Sequence, residues 1–225
     1  MAVIIGLLVG LVCGIVNGGI LVAFDIPPFI TTLATMMIAR GAVYVFTDGV
    51  PISQLGDAFC WVGQGYIGPI PAPVVIMIIA LIITWVILNQ TRTGRYIYAV
   101  GGNQDAANAS GVNIRYIKFF ASAFSGLMAG LAGVILMARM NSGQPIAGES
   151  YEMDAITAVV VGGTSMAGGV GNIPGTIVGS CIIGIIKNFM NLQNINSYWQ
   201  QIVQGIIVCV AVIIDVKVRK ANSKA

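Results

Sequence analysis

The 225-residue sequence contains no histidine, and charge is scarce: eleven basic and eight acidic residues make up 8% of the chain, against ~25% in an ordinary soluble domain. Without histidine there is no His-dependent nucleophilic catalysis and no His-liganded metal site. The four cysteines, Cys13, Cys60, Cys181 and Cys209, are far apart and form no C-x-x-C, so neither a zinc knuckle nor a redox pair is offered. They read as small packing residues. No Gly-Lys-Ser/Thr occurs, so the chain has no P-loop for ATP. The net charge of +3 is too small and too localised for nucleic-acid binding.

What fills the chain is apolar: 57% of it is hydrophobic, with a mean hydropathy of +0.90. Uncharged windows run over residues 1–24, 26–39, 58–91, 119–138, 155–186 and 188–214. About 20 residues at 1.5 Å each cross a hydrocarbon core of roughly 30 Å, so most of these windows hold a spanning helix. The expected fold is all-α: a polytopic transmembrane bundle of six to seven segments, one pair of them broken or re-entrant, forming a single membrane domain over residues 1–225.

The first run, to Phe24, has no basic residue ahead of it and is a poor signal peptide. Gly6, Gly10, Gly14 and Gly18 fall every four residues on one helix face, which predicts close packing against another helix. Pro27-Pro28 predicts the start of a second helix running to Thr47. Residues 48–73 read as a loop with a short interfacial piece near Trp61, and Val74 to Leu88 as a third crossing. Phe119 to Ala138 and residues 201–216 supply further crossings.

Basic residues mark the cytoplasmic side. Arg92, Arg95, Arg115 and Lys118 place residues 91–118 inside, and Lys217, Arg219, Lys220 and Lys224 do the same for the tail, 217–225. The acid-only loop 48–73 is then outside, as is 139–154. Residues 155–200 must start and finish outside; their two apolar pieces, on either side of the glycine-rich stretch 162–171, either both cross fully or form a broken or re-entrant pair, and the broken-helix reading is preferred. This topology puts Met1 outside with no charged anchor, which reads as a chain lacking upstream helices.

Gly163-Thr164-Ser165-Met166-Ala167 misses the G-x-S-x-G hydrolase elbow by its last residue, and no histidine could serve as its base. Gly169-Val170-Gly171 lacks the strand–turn–helix setting of a dinucleotide loop. The apolar runs hold almost no charge beyond Arg40, and Lys187 is placed at a helix end from which it could snorkel. That counts against an ion-coupled carrier, which needs ionisable groups inside its helices. It favours a path for a neutral solute, driven by a partner.

Residues 103–111 carry a compact helix pattern. Asn103 is an N-cap, Gln104 to Ser110 a short helix, and Gly111 its terminator. Asp105 complements the helix dipole. Ala106, Ala107 and Ala109 give a small-sided surface that another protein can approach.

Asp105-Ala106-Ala107-Asn108-Ala109-Ser110-Gly111 resembles the E-A-A-x-x-x-G loop of ABC importer permeases, with Asp for Glu. The preceding Thr93-Gly94-Arg95-Tyr96-Ile97-Tyr98-Ala99-Val100-Gly101-Gly102-Asn103 is similar to permeases of the ribose and related monosaccharide systems. So are Pro27-Pro28-Phe29-Ile30-Thr31-Thr32-Leu33, and Gly143-Gln144-Pro145 followed by Gly148 to Ile156. Val161-Gly162-Gly163-Thr164-Ser165 through Gly168-Gly169-Val170-Gly171 also matches that subfamily's pattern.

The resemblance implies a multi-pass permease of the bacterial cell membrane, embedded in the lipid bilayer and paired with a second copy. ABC ATPase subunits would bind beneath it, and a periplasmic or lipid-anchored sugar-binding protein would deliver substrate. ATP would be hydrolysed by the partner, so this chain has no catalytic residue, metal or cofactor of its own. The resemblance gives Asn103, Asp105, Ala106, Ala107 and Gly111 the role of coupling to the ATPase. Glu149, Glu152 and Asp154, clustered on the expected outer face, are candidates for docking the binding protein. No sugar-binding residue is assigned. Family members carry further N-terminal helices, so the alternatives are a truncated, non-transporting permease fragment or an ATP-independent carrier or channel.

Overall fold

The computed structural model describes residues 1–222. Among them, six helices are long and apolar enough to span a membrane: α1 (Ala2–Phe24), α2 (Pro28–Thr47), α4 (Ala72–Gln90), α7 (Ile114–Met140), α9 (Ile173–Leu192) and α10 (Ser197–Asn222, apolar to Lys217). Their large side chains face outward; Ile4, Met37 and Ile185 are 58%, 71% and 68% exposed. The fully buried positions are small or polar, such as Ala138, Ala72 and Thr157. Lipid is as apolar as leucine, so nothing drives large side chains inward, and small residues take the contacts instead.

The chain forms two compact units. The first comprises residues 1–97 and 107–147. Its centre is the seam between α1 and α7, where the glycine stripe meets its counterpart. A Cβ on Gly10 would lie 2.6 Å from the Gly126 carbonyl oxygen, and one on Gly14 2.6 Å from that of Ser122. The two backbones therefore touch, and any side chain at these positions would separate them. At one end of the seam Asp25, the left-handed C-cap of α1, pairs with Lys118 at 3.5 Å. At the other end, α3 (Asp57–Gln64) lies on the C-terminus of α7. Gln64 Nε2 donates to the Ala138 and Arg139 carbonyls (3.3 and 3.1 Å), and Cys60 Sγ donates to Asn141 Oδ1 (3.0 Å).

Short antiparallel pairs complete that end. β1 (Ile52–Ser53) pairs with β4 (Ser142–Gly143), setting Ile52 opposite Gly143, and β2 (Tyr66–Ile67) turns back onto β3 (Ile70–Pro71). The loop 48–73 and the segment after α7, both expected outside, thus share one end of this unit. The interfacial piece expected near Trp61 is α3.

The second unit comprises residues 98–106 and 148–225, described here to 222. It contains α8 (Tyr151–Val161), α9 and α10. The eleven residues of α8 reach about 16 Å, half of a hydrocarbon core. A glycine-rich turn then reverses the chain into α9, and α8 and α9 lie against each other with Gly162 on Gly175 and Gly179 on the Ala158 carbonyl. The broken pair expected over 155–200 is this half-length helix with a full-length partner. Part of the tail expected to be cytoplasmic, 223–225, lies outside the described residues.

Candidate functional site

The polar segment 91–118 is more ordered than expected, because a helix, α5 (Arg92–Gly102), precedes the short one. Thr91 makes the corner: its hydroxyl donates to the Ile87 carbonyl (2.6 Å) at the end of α4 and accepts from Gly94 N (3.1 Å) at the start of α5. Asn103 does the same one helix later. Its N–H donates to the Ala99 carbonyl (3.0 Å), ending α5, and its Oδ1 accepts from Ala106 N (3.0 Å), capping α6 (Gln104–Ala109).

α6 ends as its sequence implies. Gly111 takes φ +79°, a left-handed conformation that costs other residues ~1–2 kcal/mol, and its N–H donates to the Asn108 carbonyl (2.9 Å). Asp105 sits in the first turn. Asp105, Ala106 and Ala109 are exposed, whereas Ala107 is only 5% exposed. Ala107 therefore faces the protein's own body and seats the helix. Asp105, Ala106 and Ala109 lie on its exposed side, as do Gln104 and Asn108.

The three acidic residues expected to cluster outside differ in their surroundings. Glu149 is exposed and Glu152 half-buried near the start of α8. Asp154 turns inward instead: one carboxylate oxygen pairs with Lys187 Nζ of α9, and the other accepts from Gln204 Nε2 of α10. Lys187 is also not at a helix end, because α9 continues to Leu192; it lies about 20 Å along that helix. An ion pair thus bridges helices in an interior read from sequence as nearly free of charge. Thirty-three residues separate the partners, and no local pattern announces such a pair.

Sequence reasoning also missed two buried polar atoms. Asn17 Oδ1 on α1 and Thr31 Oγ1 on α2 have no hydrogen-bond partner among the described residues. Asn17, with Thr32, Ser122 and Ser125, lines a mostly apolar cleft of about 750 Å³ along the α1–α7 seam. No group of three or more potential metal ligands occurs among the described residues.

Among the described residues, six helices long and apolar enough to span a membrane, a half-length helix packed on α9 and a capped polar helix between α5 and α7 mark a multi-pass membrane protein. The chain belongs to the family described as branched-chain amino acid transport system / permease component, whose match covers residues 1–212. It is 47% identical over 213 residues to the ribose import permease protein RbsC of Haemophilus influenzae, a match covering 93% of this chain and 66% of that protein. It is 46% identical to the ribose import permease protein RbsC of Bacillus subtilis (96% and 68%) and 41% identical to the L-arabinose transport system permease protein AraH of Escherichia coli (92% and 63%). The chain therefore spans about two thirds of the length of these relatives. No solved structure matches it.

Proposed function

We propose that this chain is the membrane subunit of an ATP-driven importer for ribose or a related monosaccharide, working in the bacterial plasma membrane. The observation that carries the reading is the exposed, capped α6 with its D-A-A-x-x-x-G sequence, set in a chain 46–47% identical to ribose import permeases over more than nine-tenths of its length. Asn103 and Gly111 fix the two ends of α6, Ala107 seats it, and Asp105 and Ala106 face a separate ATPase. A sugar-binding protein delivers substrate from outside, with Glu149, Glu152 and Asp154 as the acidic candidates for its docking. A second copy of the chain completes the pathway. ATP-driven movement of α6 shifts the helices so that the pathway opens alternately to each side.

The test is reconstitution of the chain with its co-purifying ATPase and binding protein in vesicles. ATP-dependent ribose uptake, lost when Ala106 is made bulky, is expected. A chain that purifies without any ATPase would overturn the reading.

The Asp154–Lys187 pair favours a second reading, an ATP-independent carrier, because it supplies the ionisable groups such a protein needs. Uptake driven by a proton gradient without ATPase would establish it.

A further inference from the structure

The glycine-rich stretch 162–171 has no part in the reading above, yet it lies against the segment that carries α6. Residues 98–106 pack as part of the second unit, with 148–225. There the end of α5 meets the turn backbone to backbone. A Cβ on Gly101 would lie 2.7 Å from Gly169 N, and one on Gly168 2.5 Å from the Gly101 carbonyl oxygen. Beside them the Tyr98 hydroxyl donates to the Gly171 carbonyl (3.3 Å).

The turn is fastened on its far side as well. Ser165 N donates to the Val170 carbonyl (3.1 Å), closing the turn, and Ser165 Oγ donates to Asp215 Oδ2 of α10 (3.0 Å). The Gly162–Gly175 contact joins α8 to α9 immediately behind it. On the near side there is no slack, because Asn103 ends α5 and caps α6 at once. Side chains absorb small displacements by changing rotamer, whereas touching backbones cannot.

We propose that the contact of Gly101 with Gly168 and Gly169 is where movement of α6 enters the body formed by α8, α9 and α10, with Gly101 as a positioning residue for transport. This rests on the importer reading. The stretch 162–171 is then a relay: pushed by α5, it carries α8 and α9 through their shared glycines and α10 through Ser165 and Asp215.

Adjacent glycines provide the test. A Cβ on Gly101 strikes the turn, whereas one on Gly102 meets only Gly169 Cα at 3.9 Å, an ordinary contact. Both positions are helical, so alanine suits the local backbone at each. The full complex of permease, ATPase and binding protein would be compared as parent, Gly101→Ala and Gly102→Ala, reading ribose uptake and ATP hydrolysed per sugar. With Gly101→Ala the ATPase should stay bound and active, while uptake falls about tenfold and ATP consumed per sugar rises; Gly102→Ala should stay within about twofold of the parent.

Equal losses in the two variants, unchanged uptake in Gly101→Ala, or release of the ATPase from it would each overturn the proposal. If Gly101→Ala fails to accumulate in the membrane, Tyr98→Phe decides: a raised ATP-to-sugar ratio supports the relay and an unchanged one overturns it. A parent chain that binds no ATPase sinks the importer reading itself, a result visible before any variant is compared.

Discussion

Lys187 of α9 and Asp154 of α8 form an ion pair between two helices, and Gln204 of α10 donates to the carboxylate's second oxygen. Three helices are thereby tied at one carboxylate, near the start of a helix too short to cross the bilayer alone. Removing one partner strands the other charge, which costs more than losing both. The Asp154 and Lys187 side chains are 22% and 33% exposed, so the full penalty of a buried pair does not apply.

Asp154→Ala and Lys187→Met should each therefore destabilise the protein by about 1–3 kcal/mol. The double variant should be more stable than either single one, and the exchange of Asp154→Lys with Lys187→Asp should recover part of the loss. Thermal unfolding in detergent reads this directly. Glu152→Gln should leave stability unchanged, separating a structural acid from its neighbour on the same helix.

The α1–α7 seam should tolerate no side chain. Gly10→Val places carbon atoms on the Gly126 carbonyl and on Gly130, and overpacking of this kind costs about 1–3 kcal/mol or more. Gly19 lies one residue beyond the stripe and has nothing within 4 Å, so Gly19→Ala should be neutral. Yield of folded protein and melting temperature for the two variants check the contrast.

Loosening either end of α6 should disturb coupling without unfolding the protein. Asn103→Ala loses the cap, at about 1 kcal/mol, and Gly111→Ala puts a Cβ at φ +79°, at about 1–2 kcal/mol. Hydrogen exchange at residues 105–109 should rise in both variants, and sugar uptake should fall while the chain remains in the membrane.

The glycine-rich turn should open to the cytoplasm, because it packs on the end of α5 in the arginine-bearing segment. Met166 is 57% exposed there. In a chain whose native cysteines are replaced, with Cys60→Ser keeping a donor for Asn141, Met166→Cys should react with an impermeant maleimide in inside-out vesicles only. Reaction from the outer face alone would reverse the placement.

These expectations show which parts of the molecule were legible in the sequence. Features written in consecutive or regularly spaced residues could be read: the four-residue glycine period of α1, Pro27-Pro28 before α2, and the Asn103 to Gly111 frame of α6. Each depends on backbone geometry that a few neighbouring residues determine. α5 was missed because Arg92, Gly94 and Arg95 look like loop, and its start depends on the Thr91 hydroxyl bridging two helices. The pairing of Ile52 with Gly143, and of Asp154 with Lys187, joins residues far apart in the chain, and their local surroundings carry no trace of the partner. The two acids that precede Asp154 make it read as one of a cluster; its bonds to Lys187 and Gln204 depend on how α8, α9 and α10 pack, which the apolar runs did not reveal.

The chain enters the second unit at residue 98, leaves it after 106 and returns at 148. The later piece is thus incomplete without nine residues that precede α7. A protease nick between Ala147 and Gly148 would leave two fragments clasped together, and they should elute from a column as one species. A gene divided at that point would encode a first half holding all of the first unit and a second half short of nine residues of its own.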